Sequence, residues 1–271
     1  MTLGMVAALC AALCFGVASV LQAKGARAAE PGSGSGVDTR LLARALAQRV
    51  YLAGLALDAA GFGMELIALR RLPIYAVGAA LAASLAVTAV TAGRLLGTTL
   101  RRAEWTAVGV VCGGLALLGL ASGAEGSAHG STALRWGTLV AAGGVLLIGA
   151  AGGRLPVRAR AAVLGLGAGL GFGVVEVAVR LIDGVTGPAL YALLLGGGAA
   201  FLLLTSALGQ GSVTTATAAM VVGETVAPAL VGVLALDDHT RPGWTPVAVT
   251  GFALAVLGAL ALTRFGEPAA V

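Results

Sequence analysis

Nine long apolar stretches dominate the chain: Leu3–Gln22, Val50–Leu69, Pro73–Gly93, Trp105–Ala121, Trp136–Gly152, Ala161–Ile182, Pro188–Leu208, Val213–Leu236 and Trp244–Thr263. Each ends at charges, Gly, Pro or a short polar run. A hydrocarbon core about 30 Å thick is crossed by about 20 helical residues. In lipid, backbone N–H and C=O groups must be satisfied within the segment itself, so such stretches become helices. The expected fold is all-α: a polytopic membrane protein with nine transmembrane helices.

Composition closes the alternative of a soluble fold. Of the 271 residues 58% are hydrophobic and 11% charged, whereas a soluble domain carries about 25% charged residues. The net charge of +5 does not mark a nucleic-acid binder. The arginines stand at the ends of apolar runs, not in one aromatic-interleaved patch.

Their distribution sets an orientation instead. With the N-terminus on one side, twelve of the seventeen basic residues fall on the other, among them Lys24, Arg27, Arg101 and Arg160. Arg70, Arg71, Arg135, Arg180 and Arg241 fall on the N-terminal side. The positive-inside rule makes the richer side cytoplasmic, which puts the N-terminus outside and the C-terminus inside. The first span also lacks the basic leader of a secretory signal, since its charges follow the apolar run. Lys24 as the one lysine, amid abundant Ala, Gly and Val, fits a GC-rich bacterial genome and hence a bacterial cytoplasmic membrane.

Between the first two spans, Ala29–Val37 reads as a flexible Gly-Ser loop and Thr39–Val50 as a short basic amphipathic helix on the cytoplasmic surface. Trp105, Trp136 and Trp244 open spans, and Tyr51, Tyr75 and Tyr191 lie near span starts, where amphipathic rings suit the headgroup level. Cys10, Cys14 and Cys112 sit inside spans as small packing residues.

The chain resembles itself. Leu13-Cys14-Phe15-Gly16-Val17-Ala18-Ser19-Val20 in the first span parallels Leu170-Gly171-Phe172-Gly173-Val174-Val175-Glu176-Val177 in the sixth. Spans one to four (residues 1–121) would then repeat as spans six to nine (residues 161–271), with residues 122–160 carrying the joining fifth span. Five spans between equivalents invert the second copy, an architecture of secondary transporters with a midplane site between the halves. Gly165, Gly169 and Gly173 form a small-residue ridge for close helix packing, and Gly109 and Gly113 are expected to do the same in the fourth span.

Four acids fall inside spans: Asp58, Glu65, Glu176 and Glu224. An ionised side chain at mid-bilayer costs at least about 2.5–3.5 kcal/mol and normally faces a cavity or a partner. Asp58 and Glu224 have no basic neighbour in sequence and are the expected substrate or ion site, with Glu176, Glu65 and the hydroxyl of Ser19 behind them. Glu176 can instead pair with Arg180 one turn on, and Glu65 with Arg70 or Arg71. His129 and the Asp237-Asp238-His239 run read as solvated loops. No catalytic constellation or metal motif is present, so neither an enzyme nor a cofactor is implied, and any ATPase subunit would be a separate chain.

These residues resemble the drug/metabolite transporter superfamily, in its EamA-like and NIPA-like magnesium-transporter branches. Gly16-Val17-Ala18-Ser19-Val20-Leu21-Gln22-Ala23-Lys24-Gly25 is similar to the NIPA-like first helix with its terminal Lys-Gly. Asp58-Ala59-Ala60-Gly61-Phe62 is similar to the acid-Ala-Ala-Asn-Phe stretch of the second, with Gly61 in place of Asn. Thr98 stands where many EamA-like proteins carry an acid. The chain also looks similar to actinobacterial Ala/Val/Leu-rich membrane proteins. The resemblance implies a secondary transporter moving a small solute by alternating access, or a magnesium carrier with carboxylate oxygens as ligands. A non-transporting accessory subunit is the reading of a different class. Expected partners are the lipid bilayer, a small-molecule or cation substrate and a second copy in a homodimer. A reporter fused to the C-terminus should be active only as a cytoplasmic fusion; periplasmic activity would overturn the orientation.

Overall fold

The computed structural model describes residues 2–29, 39–69, 71, 81, 83–97, 100–121, 123, 130–152, 155–182, 186–237 and 239–265. They form ten helices: α1 (Thr2–Ala28), α2 (Thr39–Leu46), α3 (Arg49–Leu69), α4 (Ser84–Leu95), α5 (Arg102–Ala121), α6 (Thr132–Gly152), α7 (Val157–Leu181), α8 (Pro188–Gln210), α9 (Val213–Ala235) and α10 (Thr245–Phe265). Eight of these, α1, α3 and α5 to α10, are long and apolar enough to cross a membrane. The expected third span, Pro73–Gly93, enters the described residues mainly through α4, because residues 72–80 and 82 lie outside them. The Gly-Ser stretch 30–38, Tyr75, Thr98 and His129 also lie outside.

Apolar length predicts the spans well and their ends less well. α1 continues past Gln22 to Ala28 and takes Lys24 and Arg27 into the helix. α6 starts at Thr132 and so reaches 21 residues. Ser212 caps α9 by accepting from the Thr215 N–H, which allows a sharp turn out of α8 at Gly211-Ser212. Leu234, Val140 and Leu147 are 82%, 73% and 72% exposed, as lipid-facing side chains are.

Close helix contacts run through glycine. α7 lies on α9 along Gly165, Gly169 and Gly173: a β-carbon on Gly169 would collide with the Met220 carbonyl, and one on Gly173 would come 2.9 Å from Pro228 Cδ. The ridge read from the sequence is therefore the α7–α9 seam. α1 and α3 meet at Gly25, Gly54 and Gly61, where added β-carbons would reach Tyr51, Gln22 and Cys14. α5 and α10 meet at Gly114, whose β-carbon would lie 2.6 Å from the Gly251 carbonyl oxygen. Gly109 and Gly113 correct the expectation: no atom lies within 4 Å of a β-carbon placed on either. α5 carries glycine on several faces, and the position of α10 selects Gly114.

The remaining packing has a regular plan. α1 packs on α3 and α4, α7 packs on α8 and α9, α5 pairs with α10, and α6 covers α7 and α8. Gly123 N–H donates to the His239 carbonyl and Arg241 N–H to that of Ala121, each at 3.0 Å, which ties the end of α5 to the approach to α10. α2 is helical and amphipathic as expected. Its apolar edge, Leu41 and Ala45, is buried with Ala29 and Tyr51 rather than laid on lipid, while Arg40 and Arg44 face outward. Tyr51, near the start of α3 as expected, differs from the other rings: it is fully buried within the protein, whereas Trp105, Trp136, Trp244 and Tyr191 are exposed.

The seam sets a paired prediction. Gly169→Val should lower folding stability by about 1–3 kcal/mol through overpacking. Gly113→Ala should be neutral or add up to about 1 kcal/mol from helix propensity. Thermal unfolding of both variants in detergent checks this, and equal midpoints would remove the seam from the stability of the fold.

Candidate functional site

The four intramembrane acids come from three helices. Asp58 stands near the middle of α3, with Glu65 two turns further along the same face. Glu224 stands at the middle of α9, and Glu176 in the last two turns of α7. Their charges interact across the helices: Glu176 is repelled by Glu224 and Glu65, and Glu224 by Glu65 and Asp58. Residues far apart in the chain thus come within Coulombic range of one another, although α3 does not pack on α7 or α9 among the described residues.

The region around them is a cleft rather than a sealed core. α3 packs on α1 and α2, and among the described residues it makes no extended contact with α7 or α9. Asp58, Glu65 and Glu224 are half-buried and Glu176 is exposed, although helices crowd them. Each carboxylate therefore has one side against protein and one against open space. Among the described residues no three His, Cys, Asp or Glu side chains gather closely enough to hold a metal ion.

The other expected residues fall as follows. The Ser19 hydroxyl donates to the Phe15 carbonyl of its own helix at 3.0 Å, a local bond that leaves only its lone pairs for anything else. Arg70, one expected partner of Glu65, lies outside the described residues. His239 and Asp237 approach to 3.8 Å with both side chains over 70% exposed, as in a solvated loop.

Two features escape sequence reading. One is Gln22. It is 1% exposed, and its Nε2 donates to Asp58 Oδ2. Taken as a span border, it looked interfacial; the continuation of α1 to Ala28 puts it inside. The other is a set of polar contacts where α1 and α8 end and α3 begins. Arg27 Nη2 donates to the Gly211 carbonyl at 2.7 Å and Nε to that of Leu208 at 3.3 Å, which meets the unpaired carbonyls at the end of α8. Tyr51 Oη and Thr205 Oγ1 share a buried hydrogen bond of 2.7 Å. These contacts join α1 and α3 to α8 at one end of the cleft. At the other end α3 and α7 have no comparable junction among the described residues.

The junction can be measured. Tyr51→Phe and Thr205→Val should each cost stability, and a double-mutant cycle should return a coupling of about 1 kcal/mol. A coupling of zero would mean that the hydroxyl pair contributes nothing to closing that end.

No protein-family model, curated protein or solved structure matches this chain, so its site is read from its own geometry.

Proposed function

We propose that this chain is a secondary transporter of the drug/metabolite type, carrying a small cationic solute across a bacterial cytoplasmic membrane by alternating access. The observation that supports the reading is that Asp58 and Glu65 from α3, Glu176 from α7 and Glu224 from α9 lie within Coulombic range of one another. Acids are expensive in a bilayer and are kept where a cation or a proton passes. Structural packing alone gives no reason to draw four of them to one cleft.

The packing plan supports inverted repeats. α1 holds α3 and α4 as α7 holds α8 and α9, and α5 and α10, the fourth and ninth spans, pair with one another. A pseudo-two-fold axis between the halves would map α1·α8 onto α7·α3. Among the described residues the first of these pairs is packed and the second makes no extended contact, a difference of the kind that one end state of alternating access requires. Carboxylates that form no cluster of three among the described residues suit an organic or a hydrated cation better than a bare ion that demands a closed oxygen shell.

Flux into proteoliposomes tests this. The purified protein is given magnesium or ethidium, with Asp58→Asn and Glu224→Gln alongside. Uptake of either probe by the wild type and at least tenfold less by the variants is the expected result. Magnesium uptake would assign the narrower cation carrier. No uptake of either probe by folded protein would overturn the reading in favour of an accessory membrane subunit.

A further inference from the structure

Gln22 presents an imbalance that points to a ligand. Its amide is enclosed in the α1–α3 seam at 1% exposure. Gly54 makes the room, since a β-carbon there would come 2.8 Å from Gln22 Cγ. Nε2 is used on Asp58 Oδ2, but Oε1 has no hydrogen-bond partner. A buried acceptor left unmet costs about 1–3 kcal/mol. An ionised carboxylate offers it nothing, because it only accepts. Turning the amide over does not help: Oε1 would then meet a carboxylate oxygen, which has no proton to donate to it.

A protonated carboxyl removes the difficulty in either orientation. It donates through O–H and accepts through C=O, and a primary amide accepts through C=O and donates through N–H. The two groups then close a ring of two hydrogen bonds. We infer that Asp58 and Gln22 form a proton-binding site, in which the proton on Asp58 completes the pair with the Gln22 amide. The site rests on the transport reading in one respect: it names the proton as the ion coupled to solute movement. Binding joins a proton to one carboxylate oxygen; release returns it to water that reaches the uncovered side of half-buried Asp58 during the proposed cycle.

The surroundings allow it. From α1 the groups near Asp58 are Cys14 and Gln22. From α3 itself they are Tyr51, one face-repeat before, and Glu65, one after, and from α9 Glu224. Among the described residues, the groups that bear on Asp58 in this way include no cation. Lys24 lies two residues beyond Gln22, on the opposite side of α1, and is exposed. Arg40 and Arg44 of α2 sit by the first turn of α3, about 10 Å from Asp58 along the helix axis. Asp58 thus has a neutral amide as its partner, with carboxylates further off, and a proton is the smallest charge that satisfies both.

Infrared difference spectroscopy of the protein in lipid nanodiscs tests this through the carbonyl stretch of a protonated acid. The wild type should show a band that titrates with pH and is missing from Asp58→Asn. Asn is isosteric and its Nδ2–H can donate to Gln22 Oε1, so this variant should fold. Gln22→Leu, checked for a monodisperse elution profile, should keep the band but move it to higher frequency, as in an acid that has lost its partner. The inference fails if no acid band separates wild type from Asp58→Asn while both are folded. It also fails if the Asp58 carboxylate bands respond to sodium at fixed pH rather than to protons. The spectrum reads the proton whether or not solute moves, so loss of this site and loss of the transport reading are separate outcomes.

Discussion

Hydrocarbon offers no hydrogen-bond partner, and that single constraint governs this chain from backbone to site. It forces the apolar runs into helices, since only there does each peptide group meet its own partner. It also removes the hydrophobic effect as a force between helices, leaving packing and a few polar contacts to assemble them. The glycine seams follow. α7 and α9 approach until backbone meets backbone at Gly165 and Gly169, and α1 and α3 do the same at Gly25 and Gly54.

The same constraint gives the polar residues their meaning. Thr138 and Thr225 return their hydroxyls to carbonyls four residues back in their own helices, a local bond that lipid does not contest. A carboxylate cannot bond to a carbonyl of its own helix, because an ionised carboxylate only accepts. In the proposed site Asp58, Glu65, Glu176 and Glu224 share water, a cation or a proton between α3 and the α7–α9 pair. The cleft is joined at one end by Arg27 on the last carbonyls of α8 and by Tyr51 with Thr205. That asymmetry connects the packing to the proposed transport cycle.

Much of this was legible in the residues. Runs of about 20 apolar residues mark their own helices, and charged residues at mid-run stand out against them. The Gly165-Gly169-Gly173 ridge was readable because a four-residue repeat keeps one helix face. Span ends were less legible: a helix does not stop where hydropathy falls, and α1 carries Lys24 and Arg27 as extensions of its last turns. Gln22 was misplaced for that reason.

The sequence by itself determined the solvent, the helices and the existence of acids that need an explanation, because these follow from local composition against the energetics of lipid. Only the tertiary structure decided which faces meet. Gly114, and not Gly109 or Gly113, touches α10; Tyr51 is buried within the protein; Gln22 lies on Asp58; and acids from α3, α7 and α9 come within Coulombic range of one another. Helix periodicity says which residues share a face but not which neighbour that face meets. That choice depends on the rotation and placement of every other helix at once.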